Sequence, residues 1–172
     1  FKRFYWFEDE CIQLMKDKFG VEIVTRSYKE LGEKVRSISD NLVDEVSRNW
    51  NFNTDGVSNK AMNSAIKMYI AVKREIGDDD SIKGIGINCL NESFFTDTTP
   101  CLAWTMLYEE KGIMWACEAD TVSLLTKYII NKSLNAPVLM SNLYPFLMGD
   151  TALEHERMEK FPTVDEPENY IL

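Results

Sequence analysis

The chain has 172 residues, of which 45% are apolar and 12% aromatic, a composition that can bury one core and predicts a single globular domain. Its formal net charge of -9, with lysines and arginines scattered among acids, argues against nucleic acid or an anionic membrane as partner. No apolar run approaches the roughly 20 residues that span a bilayer, and the charged opening FKRFYWFEDE is not typical of a signal peptide. We therefore expect a cytoplasmic protein.

The first part of the chain, residues 1–80, is predicted to be mainly helical. Residues 4–19 carry apolar side chains at three- and four-residue spacing, and Gly20 follows them, a pattern typical of an amphipathic helix and its end. The segment VEIV at 21–24 is predicted to form a short strand. The absence of an initial methionine and the strand-like ending ENYIL lead us to expect that the chain is a fragment of a longer protein.

Two more helices are predicted before the first main strand. Residues 28–49 show one continuous apolar stripe, and Ser27 with Glu30 resembles a capping box at its start. After a polar loop, Ser58 is predicted to open a further helix that ends at Gly77. These helices are expected to pack together ahead of the sheet.

Residues 81–172 show a regular alternation of strand and helix patterns. Strands are predicted at 83–89, 113–117 and 137–140, with helices at 100–111 and 120–132 between them. This βαβαβ order predicts a parallel sheet, because strands that alternate with helices run in the same direction. The predicted fold class is therefore α/β, a three-layer parallel βαβ sheet with helices on both faces, preceded by a helical segment.

The starts of the two connecting helices carry recognisable signals. Thr98 or Thr99 is predicted to cap the first helix, with Pro100 at its first position, where a missing amide hydrogen costs nothing. Asp120 is predicted to cap the second helix.

The cysteines do not show the spacing of a metal site. Cys11, Cys89, Cys101 and Cys117 form no CxxC pair, and three of them lie in or beside apolar runs. We expect reduced thiols, with neither disulfides nor structural zinc. The only histidine, His155, lies in a charged segment and is not expected to serve a catalytic cysteine.

Polar side chains follow each predicted strand of the sheet. The carboxyl ends of parallel strands meet at one edge, where neighbouring ends lie about 5 Å apart. Carboxylates gathered there suit a hard divalent cation and a hydroxyl-rich ligand. The residues placed at this edge are Asn88, Asn91, Glu92, Glu118, Asp120, Ser141 and Asn142, with Tyr144 behind them.

A simpler interpretation of the same acids is open. Strand ends are polar because the chain reaches the surface there. In this interpretation Asp120 caps its helix and has no further role, and Glu118 pairs with a nearby lysine. The spacing alone does not decide between a metal site and these roles.

A family resemblance favours the metal site. The segment ESFFTDTTPCLAWTMLYEEKGIMWACEADTVSLLTKYI contains a PCLA helix start, a GI turn and a CEAD segment before a long apolar helix. With a Glu after an INC-type strand, this order resembles the L-fucose and L-arabinose isomerase superfamily, particularly its fucose isomerase-like members. The match covers about residues 84–151, and the order and spacing are more specific than any single motif.

The resemblance implies a metal-dependent aldose–ketose isomerase that uses Mn²⁺ and works through an ene-diol on an acyclic sugar. Glu92 resembles the first carboxylate that both binds the metal and acts as acid or base, and Asp120 resembles the second, with Glu118 as the alternative. Asn91, Glu118 and Asn142 are the expected contacts to the sugar substrate. A carboxylate next to a cation can move the proton while the metal stabilises the enediolate oxygens.

The chain also departs from the family pattern. The family completes its metal site with a histidine from a later domain, and His155 comes too soon after the sheet to match it. We therefore expect a middle domain that lacks the other domains of its parent protein, has little activity alone, and belongs to a homo-oligomer. The alternative is a non-catalytic sugar-binding or regulatory module on the same fold. A protein-interaction domain that uses an acidic surface would rest only on the net charge.

Overall fold

The computed structural model of the protein describes residues 9–52, 54–89, 95–138, 150–156 and 159–160. The chain divides into two compact units, Phe1–Tyr128 and Ile129–Leu172. No helix in the described ranges is both long enough and apolar enough to cross a membrane.

The described residues form a mixed α/β structure that is mainly helical. The helices are α1 (Asp9–Phe19), α2 (Tyr28–Ser37), α3 (Asp40–Ser47), α4 (Asn59–Ile76), α5 (Cys101–Lys111), α6 (Thr121–Leu134) and α7 (Asp150–Glu156); the strands are β1 (Gly84–Gly86) and β2 (Met114–Ala116), and a 3-10 turn occupies Cys117–Ala119.

The helix predicted over 28–49 is interrupted, which corrects the prediction. Ile38 and Ser39 are extended, so α2 ends at Ser37 and α3 begins at Asp40. Ile38 is nevertheless buried, with 4% of its surface exposed, and its amide still bonds to the carbonyl of Val35. The apolar period therefore continues across the break, which explains why the sequence shows no interruption.

The strand predicted at 21–24 is not formed, a second correction. These residues have no regular structure, and Val24 is 60% exposed. A strand needs a partner for its backbone groups, and β1 pairs with β2 instead. For residues 4–19, the predicted helix is found over Asp9–Phe19, and the residues before it lie outside the described ones.

Helix α4 lies at the centre of the core of the larger unit. Ser58 begins it as predicted, because its side chain accepts a hydrogen bond from the amide of Ala61, and Gly77 ends it with φ of 57°. The side chains of Ile66 and Met68 are completely buried. Helices α2, α3 and α5 all pack against α4, which makes it the element that the rest of this unit surrounds.

The two strands pair in parallel through a βαβ unit, as the alternating pattern predicts. Gly84 pairs with Met114 and Gly86 with Ala116, and α5 connects the strands. Of the predicted third strand at 137–140, residues 137 and 138 are not in a strand, and the other two lie outside the described residues.

Glycine allows α6 to approach β1 closely. A Cβ atom added at Gly84 would lie only 2.7 Å from Cδ2 of Leu124, which belongs to α6. The contact places the helix that follows β2 directly against the first strand.

The start of α5 differs from the predicted cap. Pro100 occupies the capping position itself, and no side chain caps the helix. The hydroxyl of Thr98 donates instead to the carbonyl of Thr99. Pro100 is fully buried, so packing as well as proline's fixed φ defines this helix start.

Candidate functional site

The segment after β2 folds against the end of β1. Because Gly86 pairs with Ala116, the segments that follow β1 and β2 leave the sheet side by side at the same edge. A Cβ atom at Gly86 would lie 3.0 Å from Cα of Ala119 and 3.3 Å from Cβ of Ala116. The glycine therefore leaves room for the Cys117–Ala119 turn, which carries the acid Glu118 and lies next to the carboxyl end of β1.

Two residues of this turn have a left-handed backbone. Glu118 has φ of 53° and ψ of 28°, and Ala119 has φ of 58°. This conformation costs residues other than glycine about 1 kcal/mol each. The amide of Asp120 donates to the carbonyl of Cys117 at 3.0 Å and so helps to close the turn. Backbone strain of this kind concentrates at functional sites, where the surrounding structure maintains it.

Asp120 caps α6, which confirms the predicted role at the helix start. Its Oδ1 accepts a hydrogen bond from the amide of Ser123 at 2.9 Å, and its Oδ2 accepts one from the Ser123 hydroxyl at 2.5 Å. Both carboxylate oxygens are thus engaged by one residue, and the side chain is half-buried. The cap also fixes the direction in which the carboxylate points.

Several of the predicted site residues lie outside the described ones. Asn91, Glu92 and Asn142 do, as do Ser141 and Tyr144, so whether Glu92 meets Glu118 or Asp120 stays a prediction. Asn88 is described, and it lies in the segment that leaves β1. Within the described ranges, no three His, Cys, Asp or Glu side chains are grouped so that they could hold a metal ion. Glu118 and Asp120 provide the hard oxygen donors that suit Mn²⁺, but they do not form a complete site.

A buried lysine lies beside the same strand, and the sequence analysis did not identify it. Lys127 on α6 is only 4% exposed, and its Nζ donates to the carbonyl of Trp115 at 2.9 Å. The same Nζ lies 3.6 Å from the centre of the Trp115 ring. Burial lowers the pKa of Lys127, and an electrostatic interaction with Cys117 partly opposes that shift.

The sequence contains one signal that could have identified this lysine. Lys127 stands in the apolar stretch VSLLTKYII, where its neighbours at three- and four-residue spacing include Leu124. A charged residue on the apolar side of a helix is an expected candidate for burial. The choice of Trp115 as partner could not have been read from the sequence, because it depends on how α6 packs on the sheet.

Three thiols interact electrostatically at this edge. Cys89 follows β1, Cys101 begins α5, and Cys117 follows β2. Burial raises the pKa values of Cys89 and Cys117, and the charge of Glu118 adds to both increases while its backbone partly opposes them. The Cys101 thiol also raises the pKa of Cys89, and the Cys89 and Cys101 thiols raise that of Cys117. Thiols with raised pKa values are largely protonated at neutral pH, so they are poor nucleophiles in this state.

Two cavities in the described part of the larger unit lie away from this edge. One of about 310 Å³ is lined by residues of α3, α4 and α5, including Tyr69 and Glu110. Another, of about 410 Å³, lies between α2, α4 and the segment before α5, with Lys67 and Asp97 in its lining. Neither cavity is lined by a residue of the predicted site.

No protein-family model, curated protein or solved structure matches the chain. The resemblance to the L-fucose and L-arabinose isomerases therefore stays an expectation that rests on the residues between 84 and 151. The described part of the site consists of the strand pairing, the left-handed turn, the Asp120 cap and the buried lysine.

Proposed function

We propose that the chain is an α/β domain that contributes carboxylates to a metal-dependent sugar isomerase. The observation that carries this proposal is the left-handed turn at Glu118, which places an acid after β2 and beside the end of β1. Ligands of open α/β sheets bind outside the carboxyl ends of the strands. The proposed complete fold is a three-layer parallel sheet with helices on both faces.

In this proposal Glu92 and Asp120 hold Mn²⁺ and flank the reacting carbons of the sugar as acid and base. The cation would supply the positive charge that stabilises the oxygens of an ene-diol. Asn91, Glu118 and Asn142 would contact the sugar hydroxyls. A carboxylate keeps free lone pairs after accepting two hydrogen bonds, so Asp120 can accept from Ser123 and still bind a cation. Ser123 then orients the ligand, as hydrogen-bonded partners of metal ligands commonly do.

The remaining ligands, including a histidine, would come from domains outside this chain, and sites would assemble within a homo-oligomer. The cytoplasm is the proposed location. We accordingly expect the chain to bind Mn²⁺ weakly and to turn over little sugar by itself.

The second candidate is a non-catalytic sugar-binding or regulatory module. The engagement of Asp120 favours it, because both carboxylate oxygens already accept hydrogen bonds from Ser123. In this alternative the acids at the edge cap helices and bind polyol hydroxyls without a metal.

The substitution Asp120→Asn separates the two candidates. Asparagine caps helices about as well as aspartate, so the helix start and the thermal stability are expected to persist. The lost charge should weaken Mn²⁺ binding about tenfold or more if Asp120 is a ligand. Binding is measured from the electron paramagnetic resonance signal of free Mn²⁺, with Glu92→Gln as a second test variant.

The matched control is Glu33→Gln, which removes the same charge from an exposed position on α2. It should leave Mn²⁺ binding unchanged. In the full-length protein, conversion of aldose to ketose should require Mn²⁺ and disappear in Glu92→Gln. Two results together would reject the isomerase and support the binding module. Sugar would bind without a metal and without turnover, and Asp120→Asn would leave Mn²⁺ binding unchanged.

A further inference from the structure

The larger of the two cavities described above has a lining that differs in charge from the chain as a whole. It encloses about 410 Å³ between α2, the start of α3, α4 and the segment before α5. Acids outnumber lysines and arginines 28 to 19 in the chain. The cavity reverses this ratio, because three basic and two acidic side chains line it: Arg36, Lys60 and Lys67, with Asp40 and Asp97. It is therefore a local positive region of a negatively charged chain.

One face of α4 supplies most of the hydrogen-bond donors of this cavity. Lys60, Asn63, Ser64 and Lys67 all line it. They are spaced three, one and three residues apart, which places them on the same side of a helix. Ammonium, amide and hydroxyl groups can all donate hydrogen bonds. This face therefore suits a ligand that carries several acceptor oxygen atoms.

The segment before α5 forms another wall, and hydrogen bonds fix it to α2. The hydroxyl of Thr96 donates to the carbonyl of Thr98 at 2.8 Å, so the Tyr28 hydroxyl is the donor in its 2.8 Å bond to Thr96. Arg36 donates to the carbonyl of Phe95 at 2.8 Å. These bonds hold the guanidinium and the wall in place before a ligand arrives, which reduces the entropy lost on binding.

Lys67 is held by the fold and paired with an acid that a ligand can replace. Its Nζ lies 2.7 Å from Oδ1 of Asp40. The lysine side chain is only 23% exposed, whereas that of Asp40 is 74% exposed. An ion pair to so exposed a carboxylate contributes little to stability. A phosphate group, which accepts strong charge-assisted hydrogen bonds, can take the place of Asp40 at small cost.

We propose that this cavity binds a small organic phosphate, a phosphate monoester whose anionic group is held by Arg36, Lys60 and Lys67. A guanidinium can bind two phosphate oxygens at once, and an ammonium acts as a point charge. Three cations around one cavity repel each other, and a group of nearly two negative charges offsets this repulsion. Asn63 and Ser64 contact the organic part of the ligand.

The charge of the whole chain favours a small ligand over a polyanion. The net charge of -9 repels the many further phosphates of a nucleic acid or an anionic membrane. A single phosphate group inside the cavity meets the local positive charge instead. The inference does not rest on the proposed isomerase, because the cavity is lined by α2, α3, α4 and the segment before α5 and not by the strand ends.

The test is isothermal titration calorimetry of the full chain at constant ionic strength, in a buffer free of phosphate and sulfate. The probes are glycerol 3-phosphate, inorganic phosphate and glycerol. Glycerol 3-phosphate should bind with a Kd of about 1 mM or lower. Inorganic phosphate should bind more weakly, and glycerol should give no binding heat. Absence of saturable binding by either phosphate compound would overturn the proposal.

Two exposed positions in the lining give opposite expectations. Lys60→Gln removes an attractive charge and should weaken phosphate binding about tenfold. Asp97→Asn removes a repulsive charge and should strengthen the binding of inorganic phosphate. Arg36→Gln should also weaken binding, and Arg36→Lys should restore part of it because the charge is kept. The matched control is Lys29→Gln, at an exposed position of α2, which should leave binding unchanged.

The pair Lys60→Gln and Asp97→Asn keeps the test valid if loss of the Arg36 bond to Phe95 prevents folding. Equal weakening by Lys29→Gln and Lys60→Gln would overturn the proposal, because the anion would then respond only to overall charge. Weaker phosphate binding by Asp97→Asn would contradict it too. A phosphoserine peptide that binds more tightly than glycerol 3-phosphate would assign the cavity to a protein partner and reject the small organic phosphate.

Discussion

Lys127 is the only charged side chain of the described residues that is fully buried. An ammonium group loses its hydration there, and this loss is costly unless polar groups replace the water. The Trp115 carbonyl accepts one hydrogen bond and the Trp115 ring faces the positive charge, a cation–π contact. One tryptophan of β2 thus provides both partners, and this lysine links α6 to the sheet.

The pKa of Lys127 is lowered by its burial, which has a consequence for stability. Between the native pKa and the unfolded value of about 10.4, the unfolded chain binds more protons than the native chain, so stability rises with pH. Below the native pKa, both states are charged and the full cost of burial remains. Lys127→Met removes this dependence, so the wild type should gain stability relative to the variant between pH 7 and pH 10.

Urea unfolding of the wild type and of Lys127→Met at pH 7 and pH 10 measures this difference in stability. Other titrating groups contribute equally to both proteins and cancel in the comparison. Lys29→Met, at an exposed position of α2, is the matched control and should show no relative change with pH. Parallel pH profiles for the wild type and Lys127→Met would contradict the inferred shift.

The structural roles of individual site residues could be predicted from the sequence only where they depend on neighbours along the chain. The Asp120 cap could be predicted, because an aspartate just before an apolar helix binds amides three residues away, within the same local segment. The left-handed turn at Glu118 could not, because Gly86 of the other strand makes room for it. Lys127 depends in the same way on a distant partner, Trp115.

At the scale of elements, Gly32 allows α2 to pack closely on the segment before α5. A Cβ atom at this position would lie 2.4 Å from the backbone oxygen of Phe95. Arg36, one turn further along α2, donates to the same carbonyl oxygen at 2.8 Å. The ring of Phe95 also contacts Tyr28 of α2 edge-on, with ring centres 6.1 Å apart. Helix and segment are therefore joined along a continuous contact.

The substitution Gly32→Ala opposes two effects. Alanine improves helix propensity by about 1 kcal/mol, but its methyl group would overlap with a backbone atom that cannot rotate away. We expect the overlap to dominate and the variant to lose about 2 kcal/mol in the free energy of unfolding. Glu33→Ala, an exposed neighbour on the same helix, should change it by less than about 0.5 kcal/mol. Equal or greater stability of Gly32→Ala in chemical denaturation would show that α2 does not pack this closely.

Element boundaries also show where sequence patterns fail. The βαβ order and the ends of α4 could be predicted because their signals, strand-like runs and a Ser and Gly at the helix ends, are local. The break at Ile38 was missed because its side chain is buried like those in the flanking helices. The segment at 21–24 has the composition of a strand, but its neighbours in space decide whether it becomes one.

At the scale of the whole molecule, α4 and α5 are joined in the larger unit by a partly exposed polar network at the border of the core. The hydroxyl of Tyr69 donates to one oxygen of Glu110, and Lys73 forms an ion pair with the other. Lys73 also donates to the Tyr69 hydroxyl at 3.2 Å. Although partial burial acts in the opposite direction, hydrogen bonds from Lys73 and Tyr69 lower the pKa of Glu110.

This lowered pKa predicts how acid weakens the packing of α4 against α5. A carboxylate with a depressed native pKa contributes its stabilisation above the unfolded value of about 4.3 and loses it as the pH falls through the native pKa. Glu110→Gln should therefore cost about 1 kcal/mol at pH 7, a modest value because the side chain is one-third exposed. The cost should diminish toward pH 3, where the wild-type carboxyl is protonated too. Denaturant unfolding of both proteins from pH 3 to 7 measures this cost, and the adjacent Glu109→Gln is the control. A cost that stays constant over this range would mean that the network does not hold Glu110 in its charged form.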